Sequence, residues 1–230
     1  CIYYFISCKL PIIGTPTFRI DYFATTITRA DDSLVRSLYH SRPISELYVY
    51  IQAIFGKYFL GGQTRYIIYP FQHAALLVYF YSISKVIESI FKTRVHILAF
   101  MAAWVLFITS PGLIGGVYKL ETIVGTISMF FGGLALVILS RWDRNRTNSA
   151  ATFFVSLYAL SIFAKEDFIL PPLILLGWYM FRHGDWKQQL SAHKWLLSSM
   201  TFLLIFFVVF NKLIIPWRSF IDSVDKAKSP

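Results

Sequence analysis

The chain has 230 residues, 56% of them hydrophobic and 15% charged, with 18% aromatic and a formal net charge of +10. Soluble domains carry about a quarter charged residues, so this composition, with a mean hydropathy of +0.56, excludes an ordinary soluble enzyme. It predicts an all-α, polytopic transmembrane helix bundle.

The sequence opens Cys1-Ile2-Tyr3-Tyr4-Phe5, with no initiator Met and no recognisable signal peptide. Residues 1–18 carry Lys9 and Pro11 and read as a partial first span begun upstream, in a chain truncated at one or both ends. Cys1 and Cys8 make no metal or disulfide framework. Residues 19–65 read as an external loop with amphipathic, interfacial helices. Asp32 to Tyr39 predicts a short helix capped by Asp31 or Asp32, with Leu34, Val35 and Leu38 on one side. Ser41-Arg42-Pro43 interrupts it. Ile44 to Phe55 then places Leu47, Ile51, Ile54 and Phe55 at helical spacing, as in a helix lying in the membrane interface.

A spanning helix needs roughly 20 apolar residues. The remaining spans fall within 66–215, at 66–84, 95–111, 121–140, 151–164, 168–181 and 195–215, before a tail at 216–230. The bundle thus has about six to seven spans in a single domain. The spans at 151–164 and 168–181 are short, and Lys165-Glu166-Asp167 joins them. Such a helix covers about 21 Å of a roughly 30 Å hydrocarbon core. Either the helices extend into their flanks or the charged turn dips beside a water-filled cavity. Pro171-Pro172 is expected to kink or restart the next helix.

Basic residues set the orientation. Connections 85–94 (Lys85, Lys92, Arg94), 141–150 (Arg141, Arg144, Arg146) and 182–194 (Arg182, Lys187, Lys194) fall on one side if the spans alternate. By the positive-inside rule that side is cytoplasmic. Their scatter between apolar runs suits topology and anionic membrane lipids, and no nucleic-acid partner is expected. The 19–65 loop, with six basic residues of its own, weighs against a simple count.

Three constellations on the opposite face could carry chemistry. Asp31 and Asp32 could supply a general base, and the nearby Arg36 and Arg42 suit phosphate, which a guanidinium binds through two parallel hydrogen bonds. The plainer reading is a helix cap with surface ion pairs. Lys165, Glu166 and Asp167 are functional candidates because ionisable residues between short spans are costly to keep. A solvated turn is the alternative. Glu121 follows the Gly- and Pro-rich segment 110–119 and has the weakest case, since it also suits the positive end of the following helix. His73 reads as structural, no zinc pattern accompanies it, and no phosphate loop or nucleophile elbow occurs.

In order, these features are an acidic pair in the first external loop, a Pro-containing turn leading to Glu121, and Ala164-Lys165-Glu166-Asp167 ahead of Pro171-Pro172. The pattern resembles the GT-C superfamily of membrane glycosyltransferases. The branch is that of the protein O-mannosyltransferases and the bacterial lipid-linked-sugar enzymes. The likeness covers most of residues 20–181. It implies transfer of a sugar from a polyprenyl-phosphate donor to a glycan, lipid or protein acceptor on the non-cytoplasmic face of the bacterial inner membrane or the endoplasmic reticulum. It assigns the base or acceptor-orienting role to Asp31 or Asp32. Lys165 and Glu166 fall near the donor phosphate. No cofactor is required by the pattern, and a divalent cation is left open. The acidic pair lies farther from the preceding span, and the chain is shorter, than the family pattern. The rival readings are a lipid or polysaccharide transporter or flippase, and a non-catalytic membrane subunit.

Overall fold

The computed structural model describes residues 43–59, 65–109, 123–142, 147–182 and 186–215. They are helical apart from short connections, and no strand occurs among them. The helices are α1 (Pro43–Phe59), α2 (Arg65–Phe91), α3 (Ile97–Thr109), α4 (Ile123–Ser140), α5 (Asn148–Ala164), α6 (Leu170–Arg182), α7 (Trp186–Ala192) and α8 (Lys194–Val209). A 3-10 turn at Glu166–Phe168 joins α5 to α6, and a π-helical stretch at Phe210–Ile214 prolongs α8.

α4 is the axis of the bundle, with α2, α5 and α6 packed along it. Missing side chains allow that closeness. A Cβ on Gly132 would lie 2.1 Å from the Phe168 ring, and one on Gly133 would lie 3.2 Å from the Tyr79 backbone. Cross-contacts fix the directions. Phe71 meets Phe130, Tyr79 backs onto Gly133, and Ser89 and Ser140 share the Tyr179 hydroxyl, so α2, α4 and α6 run parallel. Ser161 bonds Ser128 while Ala150 lies near Ile138, so α5 runs the other way. α8 follows α5, with Phe163 packed on Phe206, Phe207 and Phe210 and His193, at the start of α8, held by Trp142 at the end of α4.

Polar side chains inside these helices are quenched locally. Ser82, Ser84 and Ser140 donate to the carbonyls of Tyr79, Tyr81 and Val137, and Asn211 donates to Phe207. A hydroxyl bonded to its own helix carries little cost in apolar surroundings. The outer faces are apolar: Leu77, Ile87, Phe153, Ile174, Phe181, Phe202 and Val208 are among many large exposed hydrophobics.

Among the described residues two helical stretches, Pro70–Phe91 and Lys194–Ile214, are long and apolar enough to cross a membrane. Only 22% and 11% of their most apolar windows are buried, which is not the pattern of a soluble core helix. Shorter apolar stretches occur at Ile97–Phe107, Gly125–Ser140 and Asn148–Ala164.

Several boundaries differ from the sequence expectation. α2 does not stop at residue 84 but runs through Phe91, because Val86, Ile87, Ile90 and Phe91 continue the apolar pattern and Lys85 pairs with Glu88 one turn on, at 2.7 Å. It ends at Lys92, whose φ of 58° is left-handed. α5 gains a turn at its start, where Thr147 caps it by accepting from the Ala150 amide. The segment expected as a plain connection at 182–194 contains α7. α1 begins at Pro43, as a ring without an N–H suits a first helical position. Its Leu47, Ile51 and Phe55 point away from the bundle.

Candidate functional site

Of the residues singled out from sequence, Asp31, Asp32, Arg36, Arg42 and Glu121 lie outside the described residues. For Asp167 the backbone alone is described, within the 3-10 turn. Lys165 and Glu166 are in view.

The turn at Lys165 is built by the backbone. The Lys165 amide makes the last helical bond of α5, to Ser161, and the residue then turns extended, with φ −162° and ψ 138°. Glu166 starts the 3-10 turn, which closes when the Ile169 amide donates to its carbonyl. Pro171 and Pro172 occupy the first turn of α6, where a missing N–H costs nothing, so the pair restarts the helix as expected. Tyr158, fully buried, donates its hydroxyl to the Ile169 carbonyl at 2.8 Å. Phe168 is sealed between Gly132 and the edge of Tyr79.

Serines satisfy the carbonyls that the end of α5 exposes. Ser45 of α1 donates to the Ala164 carbonyl at 2.7 Å, and Ser128 of α4 donates to the Lys165 carbonyl at 3.0 Å. Ser161 in turn donates to the Ser128 carbonyl at 2.9 Å. All three serines are buried. The Lys165 side chain is half-buried and runs past Gly125, where an added Cβ would lie 3.9 Å from its Nζ. Glu166 is exposed. This end of the bundle therefore holds a cation on a rigid, fully bonded turn, with a carboxylate beside it in sequence and hydroxyls beneath.

Gln72 of α2, only 1% exposed, finds no hydrogen-bond partner for either amide atom among the described residues. It lies one residue from Phe71, which packs on Phe130 and on Tyr48 of α1. Sequence reasoning passed over Gln72 and the three serines. A polar amide inside the run Ile67 to Val86 was the signal for Gln72, whereas serines in helices are too common to stand out.

The opposite end is basic. Lys85 within the last two turns of α2, and Lys92 and Arg94 beyond its end, meet Ser140 and Arg141 at the end of α4, around a cavity of about 750 Å3. Tyr179 near the end of α6 bonds Ser140, and His193 before α8 accepts from Trp142 at 3.1 Å, so Arg182, Lys187 and Lys194 belong to this end too. Three connections that sequence put on one side are thus together, and Lys165-Glu166 is at the far end. Arg144 and Arg146 lie outside the described residues.

Among the described residues no three His, Cys, Asp or Glu side chains come together in a metal-binding group. Compared with protein-family models, curated proteins and solved structures, the chain matches none of them.

Proposed function

We propose that the chain is an integral membrane protein of about six to seven spans that transfers a sugar from a polyprenyl-phosphate donor, with a GT-C-like fold and a site on the non-cytoplasmic face. The observation that carries this reading is the separation of charge along the bundle. Basic connections gather at one end, and Lys165-Glu166 sits on a rigid turn at the other. Buried hydroxyls support the turn, so its carbonyls need no water.

In the proposed reaction the acceptor's oxygen attacks the anomeric carbon and its proton passes to Asp31 or Asp32. The bond from that carbon to the phosphate oxygen breaks, and the electron pair leaves with the polyprenyl phosphate. Lys165, with Arg36 and Arg42, offsets that developing charge, because fixed cations act most strongly where charge appears in the transition state. Glu166 holds Lys165 or contacts the sugar, and Asp167 and Glu121 are assigned to substrate binding.

Replacing Asp31 and Asp32 together with Asn is expected to abolish transfer from a polyprenyl-phosphate sugar in proteoliposomes while leaving expression intact. Undiminished turnover would remove the base assignment. Movement of the lipid-linked sugar between leaflets without transfer would replace the reading with a flippase.

A further inference from the structure

The cavity at the basic end belongs to none of the chemistry proposed above. Lys85, Lys92, Arg94 and Arg141 line it with Glu88, Ser89, Thr93 and Ser140. Lys85 is committed: its Nζ lies 2.7 Å from Glu88 Oε2 and 5.2 Å from the centre of the Tyr81 ring. Glu88 is committed too, since its other oxygen accepts from the Val95 amide at 3.1 Å. Lys92, Arg94 and Arg141 lie within 4 Å of no described carboxylate oxygen, and Glu88, which also attracts Arg94, is one negative charge against four positive ones. Among the described residues, Arg141 reaches the Tyr81 hydroxyl, at 3.5 Å. Three cations around one cavity repel one another unless an anion joins them.

We infer that this cavity binds the phosphate head group of an anionic membrane lipid. Two guanidiniums and an ammonium match a compact group with several acceptor oxygens. A second groove of about 300 Å3 opens from the same Arg141, lined by Ile138, Ala150 and Phe153 with Ser149. A polar cavity and an apolar groove meeting at one arginine suit an amphiphile better than a free anion. Lys92, which lines the cavity, has a left-handed backbone conformation that glycine takes more readily. The inference rests on the bundle lying in a membrane and not on sugar transfer.

Binding of dioleoylphosphatidic acid to the full chain in neutral detergent, followed by native mass spectrometry, tests it, with pyrophosphate and dioleoylphosphatidylcholine in parallel. Phosphatidic acid is expected to bind saturably, and the other two not. The combined variant Lys92→Gly, Arg94→Gln and Arg141→Gln should bind on the order of a hundredfold more weakly, at about fivefold per charge. Lys92→Gly alone, which suits the left-handed backbone, should lose about fivefold with its helix content unchanged. Unchanged affinity in Lys92→Gly and in the combined variant would overturn the site. Pyrophosphate binding as tightly as phosphatidic acid would overturn the lipid as its source.

Discussion

The two ends of the bundle treat charge in opposite ways. At the Lys165 end one cation is mounted on a turn whose carbonyls are bonded by serines from two neighbouring helices. At the other end several cations surround open space, and among the described residues one carboxylate, Glu88, pairs with Lys85 and draws on Arg94. The first arrangement fixes a charge in position. The second gathers more positive charge than the described carboxylate offsets. Rigidity at one end and unspent charge at the other are different physical provisions, and substitutions should separate them.

The largest effect is expected at the packing that supports the Lys165 turn. Gly132→Val would drive a side chain into the Phe168 ring, which is buried and has the edge of Tyr79 against it. A loss of about 3 kcal/mol, the upper end for overpacking, is expected, visible as a lowered melting temperature in detergent. Gly177→Ala on α6 is the matched control. Nothing lies within 4 Å of the added methyl, so it should gain up to about 1 kcal/mol from helix propensity.

Smaller effects follow for the serines. Ser128→Ala removes the hydroxyl that donates to Lys165 and meets Ser161, and should cost about 1 kcal/mol. Combined with Ser161→Ala, the loss should fall short of the sum, since the two share one network. Strict additivity in a thermal-unfolding cycle would show that the network is not a unit. At the basic end, Trp142→Phe removes the N–H donated to His193 and should cost about 1 kcal/mol. Smallest of all is Lys92→Gly, expected to leave stability unchanged or raise it by about 1 kcal/mol through relief of the left-handed conformation. A marked destabilisation there would mean that the Lys92 side chain, not its backbone, holds the basic end together.

Much of the helical order was legible because long apolar runs leave helix as the cheapest backbone state without water. The limits of those runs were less so. Lys85 looked like the start of a connection, but a charged residue does not end a helix when it can pair one turn on. The backbone turns only at Lys92. α7 escaped notice because a short polar segment between basic residues has no period to read. The restart at Pro171-Pro172 was legible, since a ring without an N–H has few places to go. Of the candidate site, Lys165 and Glu166 stood out as charges between apolar runs. Gln72 did not, because only burial makes an amide significant. Asp31, Asp32, Arg36, Arg42 and Glu121 stand on the sequence alone, outside the described residues.

In the proposed orientation, Lys165-Glu166 and the Lys85–Arg141 cavity face opposite sides of a membrane. With Cys1 and Cys8 changed to Ser, single cysteines at Glu166→Cys and Thr93→Cys can be probed with a membrane-impermeant maleimide in sealed vesicles of known orientation. Glu166→Cys is expected to label from the non-cytoplasmic side alone and Thr93→Cys from the cytoplasmic side alone. Labelling of both from the same side would contradict this orientation.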